Sequence, residues 1–87
     1  MHNVYLSREA EKYYLELPPR EKLRFNQIID RLEENPFYYL VHIKKMAGFK
    51  NRYRYREGDY RVVYLVDKRK KDVYVIVIRG RGDVYKR

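Results

Sequence analysis

Arg52-Tyr53-Arg54-Tyr55-Arg56-Glu57-Gly58-Asp59-Tyr60-Arg61-Val62-Val63-Tyr64 decides how this chain is read. Arginine alternates with tyrosine, the chain meets Gly58-Asp59, and alternation resumes. A period of two marks a strand with two unlike faces. A Gly-Asp pair between two such runs predicts a tight β-hairpin. With Gly58-Asp59 as the loop, Glu57 faces Tyr60 and Arg56 faces Arg61. Arg52, Arg54, Arg56 and Arg61 then share one face, while Tyr53, Tyr55, Tyr60, Val62 and Tyr64 share the other. A loop longer by one residue would slip the register and set Tyr55 opposite Arg61.

Like charges directly opposite on a sheet destabilise it, by a few tenths to about 1 kcal/mol. Stacked guanidinium groups therefore point to an anionic partner, and the planar donor fork of arginine suits phosphate. An RNA-backbone site is one reading. The other is a solvated basic face on an edge strand, where charge discourages aggregation.

The rest of the chain agrees with a polyanion partner. Of 87 residues, 21 are Lys or Arg and 12 are Asp or Glu, a net charge of +9. Residues 1–43 hold six basic and seven acidic side chains, and residues 44–87 hold fifteen and five, so the balances are −1 and +10. A surplus confined to one half of the chain is the footprint of a nucleic-acid or other polyanion interface. The length predicts one domain, residues 1–87, with one modest core. Cysteine is absent, which excludes disulfides and thiolate metal sites and suits a cytoplasmic protein. No stretch approaches the apolar length of a membrane span, and no apolar signal core opens the chain.

Working outward, Asn3 to Leu6 reads as a short strand. Ser7 is a good helix N-cap, with Glu9 and Glu11 in the first turns. Ala10, Tyr14 and Leu17 recur at helical spacing until Pro18-Pro19, and Pro19 can open a second helix. Phe25, Ile28, Ile29 and Leu32 give that second helix, about Arg20 to Glu34, its core stripe before Asn35-Pro36 ends it. Residues 37–51 read as irregular or a short strand. After the hairpin, Asp67 to Asp72 is a charged turn, and Val73 to Ile78 reads as a strand covered on both faces. The sum is an α+β fold: a short N-terminal strand, a helical hairpin, then an antiparallel β-meander, with the helices packed on one face of a sheet of three or four strands.

Four features give this chain a resemblance to the RelE/ParE toxin superfamily of toxin–antitoxin systems. They are the element order; Lys44-Lys45-Met46-Ala47-Gly48, similar to a Lys-x-Leu-x-Gly segment; Tyr53 to Tyr64, similar to Tyr-Arg-x-Arg-x-Gly-Asp-Tyr-Arg-x-x-Tyr; and Arg79-Gly80-Arg81-Gly82-Asp83-Val84-Tyr85, similar to an Arg-x-x-x-Val-Tyr tail. The resemblance to the RelE branch implies a metal-independent endoribonuclease that cuts mRNA in the aminoacyl site of the ribosome, needs no cofactor, and is neutralised by a cognate antitoxin. The ParE branch implies a non-catalytic inhibitor of DNA gyrase. An inactive basic RNA-binding module of the same fold is a third reading.

By that resemblance Arg61 would grip the scissile phosphate and Arg79 would serve the leaving group, with Arg54 and Arg56 adding charge. Lys44 or Lys45 would help hold the backbone, and Arg52, Arg81 and Lys86 extend the RNA-binding set. Tyr85 would stack on a base or transfer a proton. Each has a plainer reading: Tyr85 as packing, Arg79 and Arg81 as the mouth of a buried strand, Lys44-Lys45 as a surface pair. A general base is not evident, since arginine will not accept a proton. Glu57 reads as a turn residue, His42 as a surface or packing residue able to approach the site, and Gly58, Gly80 and Gly82 as turn glycines.

Overall fold

The computed structural model describes residues 1–80. The elements run β1 (Asn3–Leu6), α1 (Arg8–Leu15), α2 (Pro19–Glu34), β2 (Ile43–Lys45), β3 (Arg52–Glu57), β4 (Tyr60–Asp67) and β5 (Asp72–Arg79). The strands form one sheet in the order β1-β5-β4-β3-β2. β1 pairs with β5 in parallel, and the other pairs are antiparallel. The α+β architecture is as expected, but the sheet is larger, with five strands and mixed direction. β1 is the short N-terminal strand expected, and the additional member is the edge strand β2, three residues long and too short for a periodic signal.

Ser7 caps α1 by accepting from the Ala10 amide at 3.0 Å, and its hydroxyl donates to the Ile76 carbonyl at 2.9 Å. One serine thus starts the helix and fastens it to β5. Pro19 opens α2, where a missing amide hydrogen costs nothing. Phe25, Ile28 and Leu32 of α2 are fully buried. In α1 the inward tyrosine is Tyr13, not Tyr14, whose hydroxyl instead bonds Asn26 of α2 at 2.8 Å.

The hairpin has the expected register: Arg56 opposite Arg61, and Glu57 opposite Tyr60. Gly58 takes φ +60°, which glycine adopts without strain. Tyr53, Tyr55, Val62, Tyr64 and Val66 turn toward the helices and are buried. β5 is not covered on both faces as its apolar run suggested. Val73, Val75 and Ile78 face the core, whereas Tyr74 is exposed and stacks on Tyr5 of β1 with ring centres 5.7 Å apart. Its unbroken hydrophobicity has a local cause. A bulge shifts the pairing, so Val63 faces Val77 but Tyr64 faces Val75. Ile76 is the additional residue, and the alternation restarts after it.

Gly80 is more than a turn residue. A Cβ there would lie 2.9 Å from the Tyr60 ring and 3.2 Å from Phe25, and the Gly80 amide donates to the Tyr13 hydroxyl at 3.1 Å. Among the described residues no helix is long and apolar enough to cross a membrane. Arg81, Gly82, Tyr85 and Lys86 lie outside the described residues.

Candidate nucleic-acid interface

Strand register assembles the site. Arg56 of β3 pairs with Arg61 of β4, and Arg61 pairs with Arg79 of β5. Three arginines therefore stand in one row across three adjacent strands, beside the Gly58-Asp59 turn. One step further along the same face, Lys44 of β2 pairs with Arg54, and Arg54 with Val63. Among the described residues this face carries no helix.

Among the described residues, Arg54, Arg56 and Arg61 have no ion pair or side-chain hydrogen bond. Arg56 and Arg61 are exposed, and Arg54 is half-buried. Unneutralised like charges held a strand spacing apart, about 5 Å, raise the local positive potential and favour a bound polyanion.

Arg79 is differently placed. Its backbone stands opposite Arg61, but its side chain bends to α1. The guanidinium lies over the Tyr13 ring at 5.2 Å, donates to its neighbour's Ile78 carbonyl at 2.7 Å, and reaches Glu9 at 4.0 Å. It lines a cavity of about 240 Å³ with Glu9, Lys12, Tyr13 and Glu16. The Glu9 side chain is 74% exposed, so this tether is weak.

The two lysines of β2 part company. Lys44 shares the arginine face, while Lys45, opposite Tyr53, belongs to the other side by register. Arg52 keeps the arginine face but stands four residues from Arg56, about 13 Å along the strand. Its guanidinium lies over Phe49 at 4.2 Å, and its buried Nε has no partner.

Glu57 is not a mere turn residue. It accepts from Arg31 of α2 at 2.9 Å and from the Tyr55 hydroxyl at 2.8 Å, and Arg31 also bonds the Tyr55 hydroxyl. Burial pushes the Glu57 carboxyl toward a higher pKa, but the hydrogen bonds from Tyr55 and Arg31 outweigh it, and the net shift is downward. Burial first, and then the bond to Glu57, push the Tyr55 phenol up to about 12. Neither group is suited to take a proton from a ribose. His42 is a packing histidine: Nδ1 bonds the Arg56 carbonyl at 2.9 Å, and the ring stacks on Tyr39. Sequence reasoning missed this cluster because Arg31 lies 26 residues before Glu57. Among the described residues no group of three His, Asp or Glu side chains is placed to hold a metal ion.

Comparisons with known proteins give one answer. No protein-family model matches the chain. A curated relative from Methanocaldococcus jannaschii, named RelE1 with its toxin designation provisional, is 31% identical over 85 residues, covering 97% of this chain and 94% of that protein. Among solved structures, the archaeal RelE–RelB complex from Pyrococcus horikoshii matches with TM-score 0.77 and 30% identity, covering 93% of this chain and 96% of the other. The fold is also shared with a YoeB/ParE toxin from Agrobacterium tumefaciens, TM-score 0.75 at 19% identity, covering 91% and 98%.

Proposed function

The chain belongs to the RelE toxin family, and from that premise we propose that it is the toxin of a toxin–antitoxin pair that cuts mRNA on the ribosome. The observation that carries this reading is the pair Arg56 and Arg61, beside Arg54 and Lys44 on the sheet face away from the helices, with the Arg79 backbone next in the same row.

In the proposed reaction the ribose 2′-oxygen attacks the adjacent phosphorus. A P–O2′ bond forms and the P–O5′ bond breaks. The 2′-hydroxyl proton goes to a base, and the departing 5′-oxygen takes a proton from an acid. The products are a 2′,3′-cyclic phosphate and a 5′-hydroxyl. Negative charge grows on the non-bridging oxygens as the phosphorane forms, and Arg61 and Arg56 stabilise it there. Arg79, released from Glu9, stabilises the departing oxygen. Arg54 and Lys44 hold neighbouring phosphates. Arg52, Arg81 and Lys86 contact RNA further along its path, and Lys45, on the other side of β2, does not. Tyr85 stacks on a base or moves a proton. A RelB-type antitoxin covers the basic face in the resting cell, since solved relatives are RelE–RelB complexes and an acidic or amphipathic segment complements that surface. The site acts in the cytoplasm, where translating ribosomes are.

One observation supports a second reading. Glu57 and His42, the acid-base candidates flanking the row, are committed to Arg31, Tyr55 and the Arg56 carbonyl. A ParE-like inhibitor of gyrase needs no base. Mapping mRNA 5′ ends after induction separates the two: cuts in the ribosomal decoding site support the nuclease, and intact mRNA with stalled or broken DNA supports gyrase inhibition. For Arg61→Ala we expect a folded protein whose cleavage rate drops about 10²- to 10³-fold. Full toxicity in that folded variant overturns the site.

A further inference from the structure

A second cavity lies at the opposite end of the molecule. His2 before β1, Phe37 after α2, Tyr53 of β3, and Lys68 and Lys71 of the β4–β5 turn line an open depression of about 530 Å³, a volume within the range of small-molecule sites. β4 separates it from the Gly58-Asp59 turn by about 25 Å. Tyr53 points away from the arginine face, so the two sites share no side chain.

Its chemistry is specific in kind. Three rings line it: Phe37 meets His2 edge-on at 5.7 Å and Tyr53 at 5.5 Å. The cations sit beside them, with Lys68 Nζ 5.6 Å from the Phe37 ring centre. No carboxylate is among the lining residues. His2 Nδ1 is buried and has no hydrogen-bond partner, a deficiency that buried polar atoms seldom carry. Burial first, and then the N-terminal amine and Lys71, lower the pKa of that imidazole.

We infer that this cavity binds a planar aromatic ring bearing a phosphate, as in a nucleoside monophosphate. The ring lies against Phe37 and Tyr53, and the phosphate rests between Lys68 and Lys71. A ring without the anion leaves both ammonium groups unused, and a phosphate without the ring leaves the Phe37 and Tyr53 rings uncovered. The same chemistry arises in a free nucleotide and at the phosphorylated end of an RNA fragment.

The test is a titration of the full chain, followed through NMR signals of the His2, Phe37 and Tyr53 rings. The probes are AMP, adenosine, inorganic phosphate and a short oligoribonucleotide ending in a 3′-phosphate. AMP is expected to move all three rings saturably. Adenosine and phosphate alone are expected to bind at least about tenfold more weakly, as is AMP to a Lys68→Glu/Lys71→Glu variant whose thermal unfolding is unchanged. Tighter binding of the oligoribonucleotide than of AMP at the same rings identifies an RNA end as the source, and the reverse identifies free nucleotide. Rings that neither AMP nor the oligoribonucleotide moves at millimolar concentration overturn the inference. So does equal AMP affinity in the double variant, or phosphate alone binding as well as AMP. Neither lysine belongs to the arginine row, so wild-type mRNA cleavage by the double variant shows that the two sites stand or fall separately.

Discussion

The two faces of the β3–β4 hairpin treat polar groups in opposite ways. On the helix side nearly every hydroxyl and charge is answered: Tyr55 and Glu57 by Arg31, Tyr60 by Glu21 at 2.6 Å, and Tyr64 by the Pro36 carbonyl at 2.7 Å. On the other side Arg54, Arg56 and Arg61 stand without partners among the described residues. One hairpin, alternating residue by residue, thus builds a closed half and an unfinished half. The closed half secures the fold, and the unfinished half is where the proposed RNA would bind.

The largest effect that can break this division lies in the core. Phe25, fully buried and edge-on to Tyr60 at 5.3 Å, should cost about 3–5 kcal/mol when replaced by alanine, read as a shift in the denaturation midpoint. A loss below about 1 kcal/mol would mean that the helix face does not hold the sheet.

Next comes Glu57→Gln, which leaves Arg31 facing a neutral group. A loss of about 1–2 kcal/mol near neutral pH is expected, moderated because the Glu57 side chain is 27% exposed. pH sharpens the point. The folded Glu57 pKa lies below its ordinary 4.5, so the unfolded chain binds the proton first as pH falls. The stability that Glu57 supplies is therefore present above about pH 4.5 and disappears as pH falls through the lower folded value. Tyr55 works at the other end. Its pKa is raised from 10.0 to about 12, so its contribution is full below pH 10 and is lost as pH rises toward 12. Glu57→Gln should flatten the acid limb of the stability profile, and an unchanged acid limb would remove Glu57 from the closed half.

The smallest effect carries the opposite sign. Arg56 stands across from Arg61, so Arg56→Ala should stabilise the free protein by a few tenths to about 1 kcal/mol. The same change should lower the salt dependence of RNA binding by about 0.7 in the logarithmic slope. A destabilised Arg56→Ala protein with an unaltered slope would make these arginines ordinary surface residues.

Much of this was legible in the chain itself. A strand period and a Gly-Asp pair determine register locally, so the Arg56–Arg61 pairing could be read without coordinates. β2, only Ile43–Lys45, is too short to show a period, and the partner of β1 lies 69 residues away, beside Asp72. Register also could not foretell the course of a long side chain. Arg79 stands in the row by backbone, yet its guanidinium packs on Tyr13, because β5 is an edge once β1 has ended. Lys44 and Lys45 looked equivalent in sequence until β2 formed and sent them to opposite faces. The Tyr13-for-Tyr14 exchange is a phase error of one residue in an eight-residue helix, where the short pattern left both open.

The additional residue Ile76 has a consequence for how such a surface can change. Before it, odd-numbered positions of β5 face the helices; after it, even-numbered ones do. Deleting that single residue would leave a regular ladder with Arg79 still opposite Arg61. Pairing every residue of β5 without the bulge would instead turn Arg79 inward and send Ile78 out toward solvent. Whether Arg79 stands in register with Arg61 is thus a matter of counting along the backbone, and Ser7, bonded to the Ile76 carbonyl, holds the count in place.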